Sequence, residues 1–315
     1  MSQNELHVIF GTGALAKWTA RELVKLGKPV RMISHSGKAD ARIPADVEVV
    51  KGDAYNVNKN IEVTRGAAAV YQCAQPQYHE WAVKFPPMQK AILDAVAANG
   101  AKFIVGDNLY MYGDTNGQPL HEDLPYQPHT KKGMVRGEMA TAVMDAHRTG
   151  KIRAAIGRAS NFFGPDDNAV TSYAIRPALA GKAVNLLGRT DQPHTFSYIA
   201  DFGKLLATLG TREDTLGQIW FTPSPAPVTQ VGLIKLLEDE LGQKVKFMAA
   251  GKMMLGFLGL FAPTLRESVE MLYEWDKPFI MDSSKAEKAF GWKGTPLKEA
   301  MHATIEWCKN DPGVR

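Results

Sequence analysis

The sequence predicts an α/β fold: a doubly wound parallel sheet with a smaller α/β portion toward the carboxyl end. Short apolar runs rich in Val, Ile and Phe alternate with longer amphipathic runs through residues 1–160, as successive βα units do. The first of these units joins its strand to its helix through a turn carrying two glycines, Gly11 and Gly13. With 315 residues, 45% of them hydrophobic and 22% charged, the chain is long and apolar enough for a substantial core.

Leu6–Phe10 reads as a buried strand, and the residues after Gly13 carry apolar positions at helical spacing until Gly27 stops them. In Gly11-x-Gly13-x-x-Ala16 the first glycine permits a sharp turn, the second lets a diphosphate approach the backbone, and the small third residue lets helix and strand pack closely. The helix amino end adds free N–H groups and the positive end of its dipole. Gly11, Thr12, Gly13, Ala14, Leu15 and Ala16 are therefore expected to hold the diphosphate of a dinucleotide, although an ordinary tight turn would look the same in isolation.

Pro29–Ser34 is the second predicted strand. A dinucleotide fold meets the adenosine ribose at its end, usually with an acid that holds both ribose hydroxyls. Ser34, His35, Ser36 and Lys38 stand there instead, and such groups suit a 2′-phosphate, which favours NADP over NAD. A third strand, Val47–Lys51, leads into Asp53 and Ala54, where the acid either meets the adenine amino group or caps a helix. A fourth, Ala67–Ala74, closes with Cys73, Ala74 and Gln75, small enough on average for a cofactor to cross the sheet edge, with Cys73 read as a packed small hydrophobe. A helix is predicted over His79–Asn99, ended by Gly100, and a fifth strand over Lys102–Asp107.

Composition excludes several classes of function. A formal charge of +4 without a Lys/Arg-rich block speaks against nucleic acid. Cys73 and Cys308 lie far apart in unrelated contexts, and the histidines are scattered, so neither a disulfide framework nor a metal site is expected. The amino terminus lacks the regions of a signal peptide, and the most apolar run, Met253 to Ala262, is too short to span a bilayer. A cytoplasmic protein without a membrane partner is the expectation.

The chain resembles the extended short-chain dehydrogenases/reductases of the epimerase/dehydratase type over almost its whole length. Besides the residues above, the resemblance rests on Asn108-Leu-Tyr-Met-Tyr112-Gly113, Arg158-Ala-Ser-Asn161-Phe-Phe-Gly164-Pro165 and Phe196-Ser-Tyr198-Ile-Ala-Asp201. It extends to Asp282-Ser-Ser-Lys285-Ala and Phe290-Gly291-Trp292. It implies a Rossmann dinucleotide-binding domain of residues 1–160 plus about 195–225, and a substrate domain of 161–194 and 226–315, with the substrate between them. Asn161, Gly164 and Pro165 would floor that site, with Tyr198 and Asp201 supporting it, or each is a turn or cap. In this layout Met253, Met254, Leu255, Phe257, Leu258, Leu260 and Phe261 would be either core or an apolar lid, the latter suiting an apolar substrate.

Two departures from the family pattern stand out. The glycine turn is a variant of G-x-x-G-x-x-G, with Phe10 in the first glycine position and Ala16 in the last. More seriously, the family's Ser or Thr falls on Asn108, and its Tyr-x-x-x-Lys falls on Lys132-Gly-Met-Val-Arg136, with no tyrosine between Tyr126 and Tyr173. Positions i and i+4 share a helix face, which is how an ammonium normally serves the phenol and the nicotinamide ribose. Arg136 can still bind ribose hydroxyls but gives up no proton, whereas Lys132 can donate one if burial and Arg136 disfavour its charge. Lys131, Lys132 and Arg136 also read as a solvated basic face. Asn108 can offer its amide to a substrate carbonyl or cap the next segment, and Tyr110 and Tyr112 are the nearest phenols.

These readings give a set of catalytic candidates, Asn108, Lys132, Tyr112 and Arg136, of which Asn108 and Lys132 also face the cofactor. The expected function is NADPH-dependent reduction of a small carbonyl or enone compound. A non-catalytic NADP-binding regulator is the alternative, and a sugar-nucleotide epimerase or dehydratase stands third. A small-molecule substrate is the expected partner, and a homodimer stays open.

Overall fold

The computed structural model describes residues 5–167, 169–251, 254 and 269–311, which fall into two units. The first comprises Met1–Met111, Lys132–Arg158 and Phe202–Trp220, and the second Tyr112–Lys131, Ala159–Asp201 and Phe221–Arg315.

In the first unit the predicted alternation is present. Strands β1 (Leu6–Phe10), β2 (Val30–Ser34), β3 (Val47–Lys51), β4 (Ala67–Gln72), β5 (Lys102–Asp107) and β6 (Arg153–Arg158) alternate with helices α1 (Ala14–Lys25), α2 (Val57–Val63), α3 (Trp81–Asn99) and α4 (Lys131–Arg148). With β10 (Ile219–Phe221) they form a seven-stranded sheet of order β10-β6-β5-β4-β1-β2-β3. β1 pairs in parallel with β2 and β4, and β5 in parallel with β4 and β6. The order therefore reverses beside β1, and the crevice at its carboxyl end is where such sheets take ligands. Val8, Ile9, Val70, Ile104 and Ile156 are fully buried along the central strands, each contributing about 1.5–3 kcal/mol through removal from water.

Two element boundaries differ from expectation. β4 ends at Gln72, because after Cys73 donates its N–H to the Phe10 carbonyl (3.1 Å) the chain leaves the sheet. The helix predicted from His79 begins at Trp81, preceded by a 3₁₀ turn over Tyr78–Glu80. Pro86 and Pro87 are accommodated inside α3 on its outer side, where Ala82 and Val83 are exposed and their carbonyls can turn to water. α6 (Ile199–Thr211) packs closely on α1, since a Cβ at Gly203 would lie 2.6 Å from the Trp18 carbonyl carbon.

The second unit holds β7 (Phe162–Phe163) paired with β9 (Ser197–Tyr198) and β8 (Val184–Leu187) paired with β11 (Phe247–Ala250). Helix α5 (Arg176–Leu179), helix α7 (Gln230–Leu241), capped by the Thr229 hydroxyl, and the carboxyl-terminal helix Leu297–Asn310 complete most of it. Phe163, Val184, Leu237, Trp275, Met301 and Ile305 form its core. Residues 112–131, expected with the dinucleotide-binding domain, belong here. The Leu120 N–H reaches the Ile280 carbonyl (2.7 Å), the Asp282 N–H reaches Leu120 (2.9 Å), and Lys277 pairs with Asp114 (2.6 Å). Residues 195–201 belong here too, because β9 pairs with β7.

Of the apolar segment proposed as a lid, only Met254 is described, and Met253, Leu255, Phe257, Leu258, Leu260 and Phe261 lie outside the described residues. Among the described residues, no helix is long and apolar enough to cross a membrane, and no group of three His, Cys, Asp or Glu could hold a metal ion.

Candidate active site

The turn between β1 and α1 uses its two glycines for different reasons. Gly11 has φ +110°, and a Cβ there would stand 3.0 Å from the Ala74 backbone nitrogen, so both its conformation and the close passage of the segment after β4 exclude a side chain. Gly13 is extended, with φ −73° and ψ −179°, and a Cβ there would meet no heavy atom within 4 Å. Neither backbone nor packing requires a glycine at this position. What its missing side chain keeps clear is the approach to the amino end of α1. That end has no side-chain cap and no acid in its first turn, so its N–H groups and dipole are left for an outside anion. Ala16 is fully buried, and Leu15 reaches β5, its Cδ2 lying 2.9 Å from where a Cβ would stand on Gly106. These features fit a dinucleotide's diphosphate.

At the end of β2, the Ser34 hydroxyl accepts the Gly37 N–H (2.9 Å) and the Ser36 hydroxyl accepts the Lys38 N–H (3.2 Å). The two serines thus shape a turn that leaves His35, Ser36 and Lys38 exposed. Sequence reasoning missed an acid here: Asp40 lies further along the loop, 2.8 Å from the ammonium of buried Lys17 on α1 and 3.5 Å from Arg42. Burial alone would raise the Asp40 carboxyl. The Lys17 hydrogen bond, the Arg42 N–H and the two positive charges outweigh that and hold it below the usual range. With Asp40 so neutralised, the exposed edge is left to Lys38 and His35.

Asp53 does not cap α2. Its Oδ1 accepts the Tyr55 N–H (3.0 Å), and Asn56 caps the helix by accepting from Lys59 (3.0 Å). Asp53 remains exposed, and the Ala54 carbonyl accepts from the Asn60 amide (2.9 Å). The Cys73 thiol is pushed up to about 12 by burial, partly offset by the Thr19 hydroxyl, so it is a protonated packing group. Ala74 abuts Gly11, and Gln75 is exposed.

At the ends of β5 and β6 the first unit contains a buried charge cluster. The Asp107 carboxylate accepts from Arg136 Nε (2.8 Å) and Nη2 of α4, from Arg158 Nε (3.2 Å), and from the Asn108 N–H (2.8 Å). Register explains the convergence. Gln72 pairs with Val105 and Arg158 with Asp107, so all four side chains share the sheet face opposite Gly106, which packs on Leu15 and Leu206. Arg136 Nη1 and both polar atoms of the Gln72 amide are buried without a hydrogen-bond partner among the described residues. Such orphaned groups are what a ribose hydroxyl or a carboxamide can satisfy.

Lys132 and Arg136, one helical turn apart, are each only 3% exposed. The Lys132 ammonium lies 4.4 Å from the centre of the Tyr78 ring, and the Arg136 guanidinium 4.5 Å from Phe85 and 5.6 Å from Trp81. An aromatic stripe at 78, 81 and 85 thus covers a cationic stripe at 132 and 136. The reading of these two residues as a solvated basic face is overturned; Lys131 alone of the three is exposed. Asn108 accepts the Tyr110 N–H through Oδ1 (3.2 Å), leaving its amide N–H groups without a protein partner among the described residues.

Tyr112 falls in the second unit, where its hydroxyl donates to the Glu122 carbonyl (3.3 Å) and its ring meets Tyr126 and Phe221 edge-on. In the same unit the Asn161 amide donates to His194 Nε2 (3.1 Å) and Glu274 Oε2 (3.3 Å), while His194 Nδ1 donates to the Glu274 carbonyl (3.2 Å). Burial pushes the Glu274 carboxyl up to about 8 and the His194 ring down to about 3, so both are neutral at pH 7. Asp201 is occupied in binding the Thr295 N–H (2.7 Å) and hydroxyl (2.9 Å).

Residues 8–220 match the NAD dependent epimerase/dehydratase family. No curated protein sequence matches the chain. Among solved structures, it is similar to the dTDP-glucose 4,6-dehydratase DesIV of Streptomyces venezuelae with NAD and TYD bound, with a TM-score of 0.79, 16% identity and 98% of each chain covered. It is also similar to a UDP-glucuronic acid 4-epimerase of Bacillus cereus in complex with NAD, with a TM-score of 0.78, 18% identity, and 98% of this chain and 100% of that one covered. The protein gox2253 superimposes with a TM-score of 0.81 at 18% identity, covering 97% of this chain and 98% of that one. At these identities the likeness establishes the fold.

Proposed function

Because the chain belongs to the NAD-dependent epimerase/dehydratase family, we propose that it is an NADP-dependent oxidoreductase reducing a small carbonyl or enone compound. The observation that carries this is the combination of an intact dinucleotide turn with a rebuilt proton-transfer face. Gly11–Ala16 are suited to a diphosphate, while the family's lysine position holds Arg136, bound to the buried Asp107 carboxylate. The tyrosine position on α4 holds Lys132, and the Ser34–Lys38 turn suits a 2′-phosphate, whereas the structurally similar sugar-nucleotide dehydratase and epimerase hold NAD; both points favour a reductase over a sugar-nucleotide epimerase.

In this reading Ser34, His35, Ser36 and Lys38 receive the 2′-phosphate, Asp53 and Ala54 border the adenine, and Cys73, Ala74 and Gln75 line the crossing of the sheet edge. Arg136 and Lys132 meet the nicotinamide ribose, Arg136 through its orphaned Nη1. The reduced nicotinamide supplies hydride when bound. The Asn108 amide holds the substrate carbonyl by hydrogen bonding, which steadies the charge that grows on its oxygen. Lys132, Tyr110 and Tyr112 are the candidates that the sequence offers for the proton donor. A cytoplasmic setting, with no nucleic-acid or membrane partner, accords with this chemistry.

Loss of NADPH absorbance across a panel of aldehydes, ketones and enones tests the proposal. Turnover with NADPH over NADH is expected. Tight NADP binding with no turnover of any compound would instead favour a regulatory protein that reads redox state.

A further inference from the structure

We propose that Tyr78, which lies in none of the sequence motifs, is the proton-donating phenol of the site, with Lys132 behind it as its positioning residue. This rests on the oxidoreductase reading above.

The family's tyrosine position on α4 is filled by Lys132, whose ammonium is buried against the face of the Tyr78 ring, 4.4 Å from its centre. Tyr78 itself is half-buried, more open than Lys132. Its placement is fixed from two further directions. Its ring and that of Trp81 meet edge to face, centres 4.9 Å apart at 70°, and the Trp81 indole N–H donates to the Pro76 carbonyl (3.2 Å), tying down the segment that leads from β4 into the Tyr78–Glu80 turn. That segment issues from the carboxyl end of a central strand, the edge at which open parallel sheets bind ligands. Trp81 also neighbours Tyr110, whose N–H binds Asn108, so the phenol and the carbonyl-orienting amide share one aromatic cluster.

The chemistry balances within this arrangement. As the substrate's carbonyl carbon accepts hydride from a reduced nicotinamide dinucleotide, the Tyr78 O–H bond breaks and its proton joins the carbonyl oxygen. The electron pair stays on the phenolate, which the adjacent ammonium stabilises, and water returns the proton afterwards. The phenol and ammonium that related enzymes draw from one helix come here from two elements. The lysine moves into the tyrosine's position, and Arg136, tied to Asp107, takes over the lysine's.

Tyr78→Phe is the decisive variant. It retains the ring, and with it the Lys132 and Trp81 contacts, and removes only the hydroxyl. For a carbonyl compound turned over by the wild type, kcat is expected to fall about 10²- to 10⁴-fold with KM nearly constant, while NADPH affinity and thermal midpoint stay unchanged. Adding Lys132→Met to Tyr78→Phe should cost little more, because the two act as a unit. An independent readout is nitration of the wild type by tetranitromethane, followed by peptide mass spectrometry: bound NADPH should shield Tyr78 relative to the other tyrosines. Turnover by Tyr78→Phe within about threefold of the wild type, or Tyr78 nitrated equally with and without NADPH, overturns the proposal and leaves the oxidoreductase reading standing. If the wild type binds no dinucleotide, both fall. If it binds NADPH but turns over no compound, the oxidoreductase reading and the proton-donor assignment fall together.

Discussion

Asp107→Asn probes the rebuilt face most sharply. The substitution keeps size, so no cavity opens; it removes the negative charge that Arg136 and Arg158 share and turns one accepting oxygen into an N–H donor beside a guanidinium. Both guanidiniums are buried, and deleting one partner of a buried ion pair costs about 3–5 kcal/mol because the other charge stays desolvated. For domains of ~150–250 residues each kcal/mol moves the thermal midpoint by about 2–4 °C, so a fall of roughly 6–20 °C is expected. Urea unfolding followed by circular dichroism measures the same loss as free energy. In a double-mutant cycle with Arg136→Met, the coupling should lie within about 0.5–3 kcal/mol. A loss for Asp107→Asn below about 1 kcal/mol, the range of solvent-exposed pairs, would refute the buried-pair argument.

Three further outcomes are expected. Gly13→Val should leave the thermal midpoint intact, since a Cβ at this position meets nothing within 4 Å, yet abolish dinucleotide binding in a fluorescence titration; retained binding would mean the diphosphate lies elsewhere. Lys38→Ala should weaken NADPH about tenfold, the loss of one charge-assisted contact of ~1.5 kcal/mol, and leave NADH affinity alone; equal loss for both would remove Lys38 from 2′-phosphate recognition. Glu274 and His194 set opposite pH limits. The folded-state pKa of Glu274 is raised from 4.5 to about 8, so its contribution is complete below about 4.5 and is lost as pH climbs toward 8. That of His194 is lowered from 6.5 to about 3, so its contribution holds above about 6.5 and is lost as pH falls toward 3. Denaturant midpoints of Glu274→Gln against pH should therefore decline less than the wild type's between pH 6 and 8, and a parallel decline would contradict the assignment.

The parts of the fold governed by local periodicity were legible in the sequence. Val47–Lys51 and Lys102–Asp107 are strands over those residues, and the glycine turn lies between β1 and α1, because alternation and helix stops are local signals. The charge cluster was not. Lys132 and Arg136 sit in a polar stretch that reads as a solvated face, and the aromatics that bury them at 78, 81 and 85 come from α3 and the turn before it, a pairing that no local pattern encodes. Asp107 read only as a strand end, and Asp40 escaped because loop length, unlike strand register, does not fix where a side chain returns. The one available clue was aromatic spacing: Tyr78, Trp81 and Phe85 fall at i, i+3 and i+7, one face of a helix starting where a sheet edge ends.

A fluorescence titration of NADPH against wild type and Gly13→Val tests most directly whether a dinucleotide sits on the amino end of α1. Saturable binding by the wild type, tighter for NADPH than for NADH and lost in Gly13→Val, is the predicted result. Wild-type protein that ignores both dinucleotides at millimolar concentration would contradict it.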